Sequence, residues 1–267
     1  MTSTQQTKAR LFRELHTSAR PLALANVWDV AGARVVERAG APAVATTSAG
    51  VAWSLGRPDG DVLSRAEAMG AIARIAAAVT VPVTADIEAG YGDDESGVAQ
   101  TVREVLAAGA VGVNIEDGSR PPAVLAARLA TARATAEQEG VDLFLNARVD
   151  TYLKGLGAAE HRLQQTLERA RTYVDAGADG IFVPGVVDLE TVAALAAGIP
   201  VPLNVMAGPG APSVAELGAV GVARVSLGAG VAQAAYATIG RAAEQLFGPG
   251  GYGGVADGVD FAELNTP

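Results

Sequence analysis

Eight short apolar runs punctuate this chain, and a longer alanine-rich stretch with helical periodicity follows each one. The runs fall at 22–26, 43–47, 81–86, 111–116, 142–147, 180–183, 201–204 and 223–227. The helical stretches fall at 31–39, 64–79, 95–108, 123–139, 158–176, 189–197, 213–217 and 231–247. Strands joined by crossover helices lie parallel, because each helix carries the chain back to the end where the previous strand began. Eight such units of roughly 30 residues predict a single α/β domain, a (β/α)8 TIM-type barrel. An open doubly wound sheet is the alternative, and it calls for a G-x-G-x-x-G turn after the first strand. Here that turn reads Asn26-Val27-Trp28-Asp29-Val30, which lacks the glycines that let a pyrophosphate approach.

The punctuation between units supports this reading. Four helical stretches end in Ala-Gly just before the next strand, at Ala39-Gly40, Ala108-Gly109, Ala176-Gly177 and Ala197-Gly198. Glycine there supplies the left-handed cap of a tight turn. Ser64 followed by Glu67 predicts a capping box. Residues 4–16 read as an extra helix, so the barrel domain is expected over 1–247. The tail, 248–267, is Gly-rich, and Phe261 and Leu264 are its last apolar residues, suited to packing on a neighbour.

Composition narrows the chemistry. With 49% hydrophobic but only 4% aromatic residues, alanine, valine and leucine must fill the core of this 267-residue chain. A net charge of −9 disfavours nucleic acid as a partner. The absence of cysteine excludes disulfides, thiolate metal sites and a thiol nucleophile, and two histidines are too few for a His-rich metal site. The polar N-terminus and the lack of a long uncharged apolar stretch predict a soluble cytoplasmic protein with no membrane segment. Catalysis is left to carboxylates, Arg, Lys, Tyr, Ser and Thr.

In a barrel, chemistry sits at the C-terminal ends of the strands. There the second run offers Thr46-Thr47-Ser48, the third Asp86-Ile87-Glu88 before Ala89-Gly90-Tyr91-Gly92, the fourth Asn114-Ile115-Glu116-Asp117, and the fifth Asn146-Ala147-Arg148-Val149-Asp150. Asp59 lies in the loop after the second run. The last three ends are bland: Pro184-Gly185, Asn204 and Gly228. Carboxylates gathered on one rim repel unless they are protonated or share a cation. Without Cys or His, an all-oxygen site suits Mg2+ or Mn2+. Arg148 beside it can grip a carboxylate with two parallel hydrogen bonds. Plainer roles compete: Asp94, Asp117 and Asp188 suit turns or helix caps, His16 and His161 suit the outside of the barrel, and Trp53 suits packing near the rim.

Taken in order, Asn26-Val27-Trp28-Asp29, Thr46-Thr47-Ser48-Ala49-Gly50, Leu55-Gly56-Arg57-Pro58-Asp59-Gly60, Asp86-Ile87-Glu88-Ala89-Gly90-Tyr91-Gly92, Asn114-Ile115-Glu116-Asp117 and Asn146-Ala147-Arg148 resemble the isocitrate lyase/phosphoenolpyruvate mutase superfamily. The resemblance implies a homo-oligomer, dimer or tetramer, with the C-terminal helix exchanged between subunits. It implies a Mg2+ (or Mn2+) site, with Asp86 on the metal and Asp59, Glu88 and Glu116 holding it through waters. Thr47 and Ser48 would grip a substrate carboxylate or enolate oxygen, and Arg148 another oxygen; Asn204 joins this substrate-binding set. Tyr91, Arg148 and Glu116 are the residues expected to carry catalysis. The shared reaction makes or breaks a bond to C3 of a pyruvate unit, with the metal stabilising the enolate.

Departures from the family pattern select among its reactions. The loop after the fourth strand is Asp117-Gly118-Ser119-Arg120-Pro121-Pro122, without the Lys-Lys-Cys-Gly of isocitrate and methylisocitrate lyases or the Lys and Asn of mutases. Ala45 replaces an aromatic, and Pro184 replaces a histidine common in mutases. The expectation is a Mg2+-dependent lyase or decarboxylase of a small 2-oxo or 2-hydroxy dicarboxylate. The alternatives are a phosphoenolpyruvate/phosphonopyruvate mutase or hydrolase, with Arg57, Arg120 and Arg128 as its extra positive charge, and a non-catalytic metal- or ligand-binding paralogue.

Overall fold

A computed structural model describes residues 3–265 and contains nine parallel strand segments. They are β1 (Leu22–Leu24), β2 (Asn26–Val27), β3 (Val44–Thr46), β4 (Val83–Asp86), β5 (Gly112–Glu116), β6 (Phe144–Arg148), β7 (Gly180–Val183), β8 (Leu203–Met206) and β9 (Val222–Ser226). Neighbours pair in sequence from β2 to β9, and β1 pairs with β9. Ala25 alone separates β1 from β2. One interrupted strand therefore closes the ring: Leu24 accepts from the Leu227 N–H on one side, and Val27 accepts from the Thr47 N–H on the other. This is the expected α/β barrel, with its first strand in two pieces.

Helices surround the ring: α1 (Ser3–Leu15), α2 (Val30–Arg38), α3 (Ser48–Ser54), α4 (Arg65–Ala78), α5 (Glu95–Ala107), α6 (Pro122–Gln138), α7 (Arg162–Asp175), α8 (Leu189–Gly198), α9 (Val214–Ala219), α10 (Gly230–Phe247) and α11 (Phe261–Leu264). The Ser64–Glu67 capping box forms at the start of α4. Gly40, Gly109 and Gly177 take the left-handed conformation expected of them. Gly198 does not: α8 runs through it to an extended Ile199. Its role is close packing, since a Cβ there would lie 2.7 Å from Leu167 Cδ2. The short helix α3, read in the sequence as part of a loop, starts directly at the end of β3.

Aliphatic side chains fill the space between strands and helices, as the low aromatic content requires. Two of the buried aromatics, Phe12 and Phe144, meet at the N-terminal mouth of the barrel, which α1 closes. Phe12 meets Phe144 edge-on at 5.6 Å, and His16 stacks on Phe144 at 4.0 Å. His16, expected on the outside, is therefore buried. Its Nδ1–H donates to the Phe12 carbonyl at 2.8 Å, and its Nε2 has no partner. Arg13 fastens the plug through Asp142 at 2.6 Å and Asp179 at 2.8 Å, and Arg133 also pairs with Asp179. Asp142 thus stands before β6 as an ion-pair partner rather than inside the strand.

Inside the ring, polar residues form a ladder. Asn146 Nδ2 donates to Asn114 Oδ1 at 2.9 Å and to Asn204 Oδ1 at 3.1 Å. Arg224 is fully buried, and its Nη2 donates to Asn114 at 3.3 Å. Burial lowers this guanidinium to about 9, and Asp86 pulls the other way. The last long helix is the opposite case. Of the 18 residues of α10 only Ala232 is buried, and Phe247 at its end is 84% exposed. The tail folds back across it, with Arg38 of α2 donating to the Glu263 carbonyl at 2.6 Å. No described helix is long and apolar enough to cross a membrane.

Candidate active site

A cavity of about 420 Å3 opens at the C-terminal ends of the strands. Thr47, Ser48, Asp59, Asp86, Asn114 and Arg148 are among its polar lining residues, and Leu153, Phe182 and Met206 among its apolar ones. Asp86 ends β4. Its Oδ2 accepts from Ser48 Oγ at 3.0 Å and, more distantly, from the Ser48 N–H at 3.5 Å. Its Oδ1 accepts from the Glu88 N–H at 3.3 Å. Burial pushes the Asp86 carboxyl above its ordinary value, while Arg148 and Ser48 pull it down. Thr47 caps α3, its Oγ1 accepting from the Gly50 N–H at 3.4 Å. The helix start thus brings Thr47 and Ser48 together beside Asp86.

Arg148 is held from two sides. Its Nη1 lies 2.7 Å from Glu116 Oε2, while Nε and Nη2 grip Asp150 at 2.6 and 3.2 Å. Asp150 is fully buried, and its own N–H donates to Asp117 Oδ1 at 2.9 Å. Asp117 Oδ2 in turn accepts from Arg169 and Tyr173, each at 2.7 Å. Asp117 is thus the hub of a buried ion pair, whereas Asp94 and Asp188 are helix caps as expected. Sequence reasoning gave Asp150 no role. The signal was the Arg148-x-Asp150 spacing at a strand end, where two carboxylate oxygens can meet one guanidinium.

Glu116 and Glu88 stand behind the cavity wall. Burial raises the Glu116 carboxyl to about 8; Arg148 lowers it, and Asp86 and Asp150 raise it further. Glu88 Oε1 accepts from the Gly60 and Asp61 N–H groups at 2.9 and 2.7 Å. This bond holds the loop that carries Asp59. Glu88 Oε2 is buried with no hydrogen-bond partner. Asp61, Glu88 and Tyr91 are the described non-glycine residues with left-handed backbone, at φ of 60°, 50° and 47°. Such conformations cost free energy and persist where surrounding contacts fix them.

Two candidates lie apart from the cavity. Tyr91 lines a neighbouring depression with Asp61, Arg120 and Arg128, and burial together with Glu88 and Asp86 keeps its phenol far above the ordinary value. Asn204 is inside the barrel. β8 ends at Met206 rather than at Asn204, so Met206 reaches the mouth. The Asn204 amide donates to the Val205 and Arg224 carbonyls, at 2.9 and 3.2 Å. Of the three arginines considered for a phosphonate, Arg57 faces Glu67 at 3.9 Å, and Arg128 donates to the Ala89 and Gly92 carbonyls. Arg120 stands at the rim, 2.9 Å from Asp61.

The donor set fits a hydrated hard cation. Among the described residues no three His, Asp or Glu side chains are grouped to hold a metal by themselves. On the family resemblance, Asp86 would bind the metal directly, with Asp59, Glu88 and Glu116 reached across waters. Mg2+ keeps several of its waters, and Glu88 Oε2, buried without a hydrogen-bond partner, would offer one of them an acceptor.

The family model for phosphoenolpyruvate phosphomutase matches residues 12–247. The chain belongs to the isocitrate lyase/phosphoenolpyruvate mutase superfamily. It is an enzyme of that carbon–carbon lyase and mutase group. An uncharacterised protein of Mycobacterium tuberculosis is 40% identical over 217 residues, 81% of each chain. An oxaloacetate decarboxylase of Bradyrhizobium sp. (strain BTAi1) is 30% identical over 263 residues, 92% of this chain and 90% of its own. A phosphonopyruvate hydrolase solved with oxalate and Mg2+ is 25% identical, with a TM-score of 0.82 over 96% of this chain and 93% of its own. Homologues thus act on small carboxylates, and at least one is solved in complex with oxalate and Mg2+.

Proposed function

We propose that this enzyme is a Mg2+-dependent lyase or decarboxylase that acts on a small 2-oxo or 2-hydroxy dicarboxylate through a pyruvate-type enolate. The observation that carries the reading is the meeting of Asp86, Ser48 and Arg148 on one cavity, a half-buried carboxylate beside hydrogen-bond donors. When bound, the cation supplies Lewis-acid stabilisation of the negative charge that develops as the bond to C3 breaks. Asp86 would anchor it directly, with Asp59, Glu88 and Glu116 through waters. Thr47 and Ser48 hold one end of the pyruvate unit, and Arg148 binds another oxygen. Because Glu116 and Asp150 fix the guanidinium, little reorganisation accompanies substrate binding. Tyr91 stays neutral, but burial beside Glu88 and Asp86 makes its phenol a weaker acid than usual, and to protonate the enolate it would have to reach the cavity from the neighbouring depression.

Metal-assisted loss of CO2 asks for little beyond enolate stabilisation, which suits a short loop after β5 without cysteine. Phosphorus–carbon chemistry is the second reading, favoured by Arg120 at the rim. The experiment is turnover with Mg2+ of oxaloacetate, methylated malates and phosphonopyruvate. Pyruvate or another 2-oxo acid from the first two classes, abolished by Asp86→Ala, is the expected result. Phosphate release from phosphonopyruvate points to the second reading instead. No turnover, and no stabilisation by oxalate with Mg2+, leaves the non-catalytic paralogue. We propose further that the exposed side of α10 packs on a second copy of the chain, giving a homo-oligomer.

A further inference from the structure

The loops after β5 and β6 bring two cations to one point on the rim. Gly118 has a φ of 57°, and a Cβ built on it would lie 3.3 Å from Arg120 Nη1, 3.6 Å from Lys154 Nζ and 4.0 Å from Glu116 Oε1. Any side chain at this position would occupy the space these three groups face. Arg120 spends Nη2 on Asp61, which leaves Nη1 turned toward that space. Lys154 pairs only loosely, 3.9 Å from Asp150 Oδ2, and is 40% exposed. Its chain neighbour Leu153 lines the cavity. An ammonium on a flexible stem, beside a cavity wall and without a close partner, is free to take an incoming anion.

Resting on the enolate reading, we propose that Lys154, with Arg120 beside it, binds the distal carboxylate of the substrate and selects dicarboxylates over monocarboxylates. The pyruvate end is held by Thr47, Ser48 and Arg148, and Leu153 lines the same cavity, so the far carboxylate of a four- or five-carbon acid is assigned to the side of the loop after β6. Glu116 Oε1 and Asp150 bound this space on the barrel side. Their negative charge disfavours an anion unless Lys154 and Arg120 offset it, so removing one cation is expected to weaken binding of the distal group more than that of the pyruvate end.

The test compares two ligands bound in the presence of Mg2+ to the intact enzyme and to Lys154→Met and Lys154→Arg. Oxalate fills only the pyruvate end, and 3,3-difluorooxaloacetate adds the distal carboxylate. Calorimetry is expected to show difluorooxaloacetate weakened about tenfold by Lys154→Met and largely restored by Lys154→Arg, with oxalate within about twofold of the unaltered enzyme. Difluorooxaloacetate binding unchanged in Lys154→Met overturns the assignment. Equal weakening of both ligands also overturns it, because Lys154 then acts through Asp150 and Arg148. Failure of the unaltered enzyme to bind oxalate with Mg2+ removes the enolate reading, and this assignment with it. Lys154 is exposed and outside the core, so its substitution leaves folding intact.

Discussion

The side chain that most needs fixing in place is Arg148, and Asp150 fixes it. A bidentate carboxylate below the guanidinium and a single one beside it leave Arg148 in one position. Asp150→Asn keeps the shape but loses the charge-assisted pair, which is stronger than a neutral one. The expected outcome is a rise of about tenfold in KM, with a smaller change in kcat, in steady-state assays. His16 makes a different prediction. Burial, with Arg224 and Arg13 facing the ring, lowers it to about 3 from 6.5. The unfolded chain binds a proton that the folded chain refuses across this range. The contribution of His16 to stability is thus complete above pH 6.5 and falls as pH drops toward 3. His16→Asn removes that dependence. In urea unfolding, the loss of stability between pH 7 and about pH 4.5 is expected to shrink by about 2 kcal/mol. Identical pH profiles for the two proteins would count against a buried neutral imidazole.

The helices owe their ends to short-range chemistry and their positions to long-range contacts. Asp94 accepts from the Gly97 N–H at 2.8 Å and starts α5 just beyond the Glu88–Gly92 turn. Asp94→Ala is expected to cost about 1 kcal/mol in denaturant unfolding. Turnover should be nearly unchanged, because Asp94 touches neither Asp86 nor Arg148. Caps such as Asp94, Asp188 and Ser64 were legible in the sequence because each bond spans three residues. Asp117 was not legible: its partners Arg169 and Tyr173 lie more than fifty positions away. The helix α3 escaped for a related reason. Seven residues with a central glycine have little helical propensity. Docking against α4, where Val51 and Ala52 pack with Leu63 and Ala71, is what makes them helical.

Closure of the barrel and coverage of its outside are properties of the whole molecule. Phe12 is fully buried beneath the ring against Phe144 and His16, so Phe12→Ala is expected to destabilise the fold by about 3–5 kcal/mol, read as a lower urea midpoint. At the other extreme, α10 exposes Ile239 at 62% and Phe247 at 84%. An apolar helix face left open in this way marks an interaction surface. Light scattering after size exclusion is expected to give a dimer or tetramer, and a paired Ile239→Asp and Phe247→Asp variant to shift it toward monomer. A monomeric unaltered protein would remove the case for a second copy on α10.

By itself the sequence determined the barrel, because alternation of apolar runs with helical stretches is local and repeats at every unit. It also determined which residues stand at the strand ends, since the end of a run can be read within a residue or two. Thr47, Ser48, Asp86 and Arg148 were found that way and Asp59 in the loop after the second run, and the structure brings all five to one cavity. Where a boundary moved by two residues, at β8, the residue at the mouth changed from Asn204 to Met206, because side chains alternate along a strand. Only the tertiary structure decided that His16 lies beneath the barrel, that Asp150 locks Arg148, that Tyr91 faces the adjoining depression and that Lys154 meets Arg120 over Gly118. Each of these depends on which segments meet in space, and composition, periodicity and turn chemistry carry no information about contacts between residues distant in sequence.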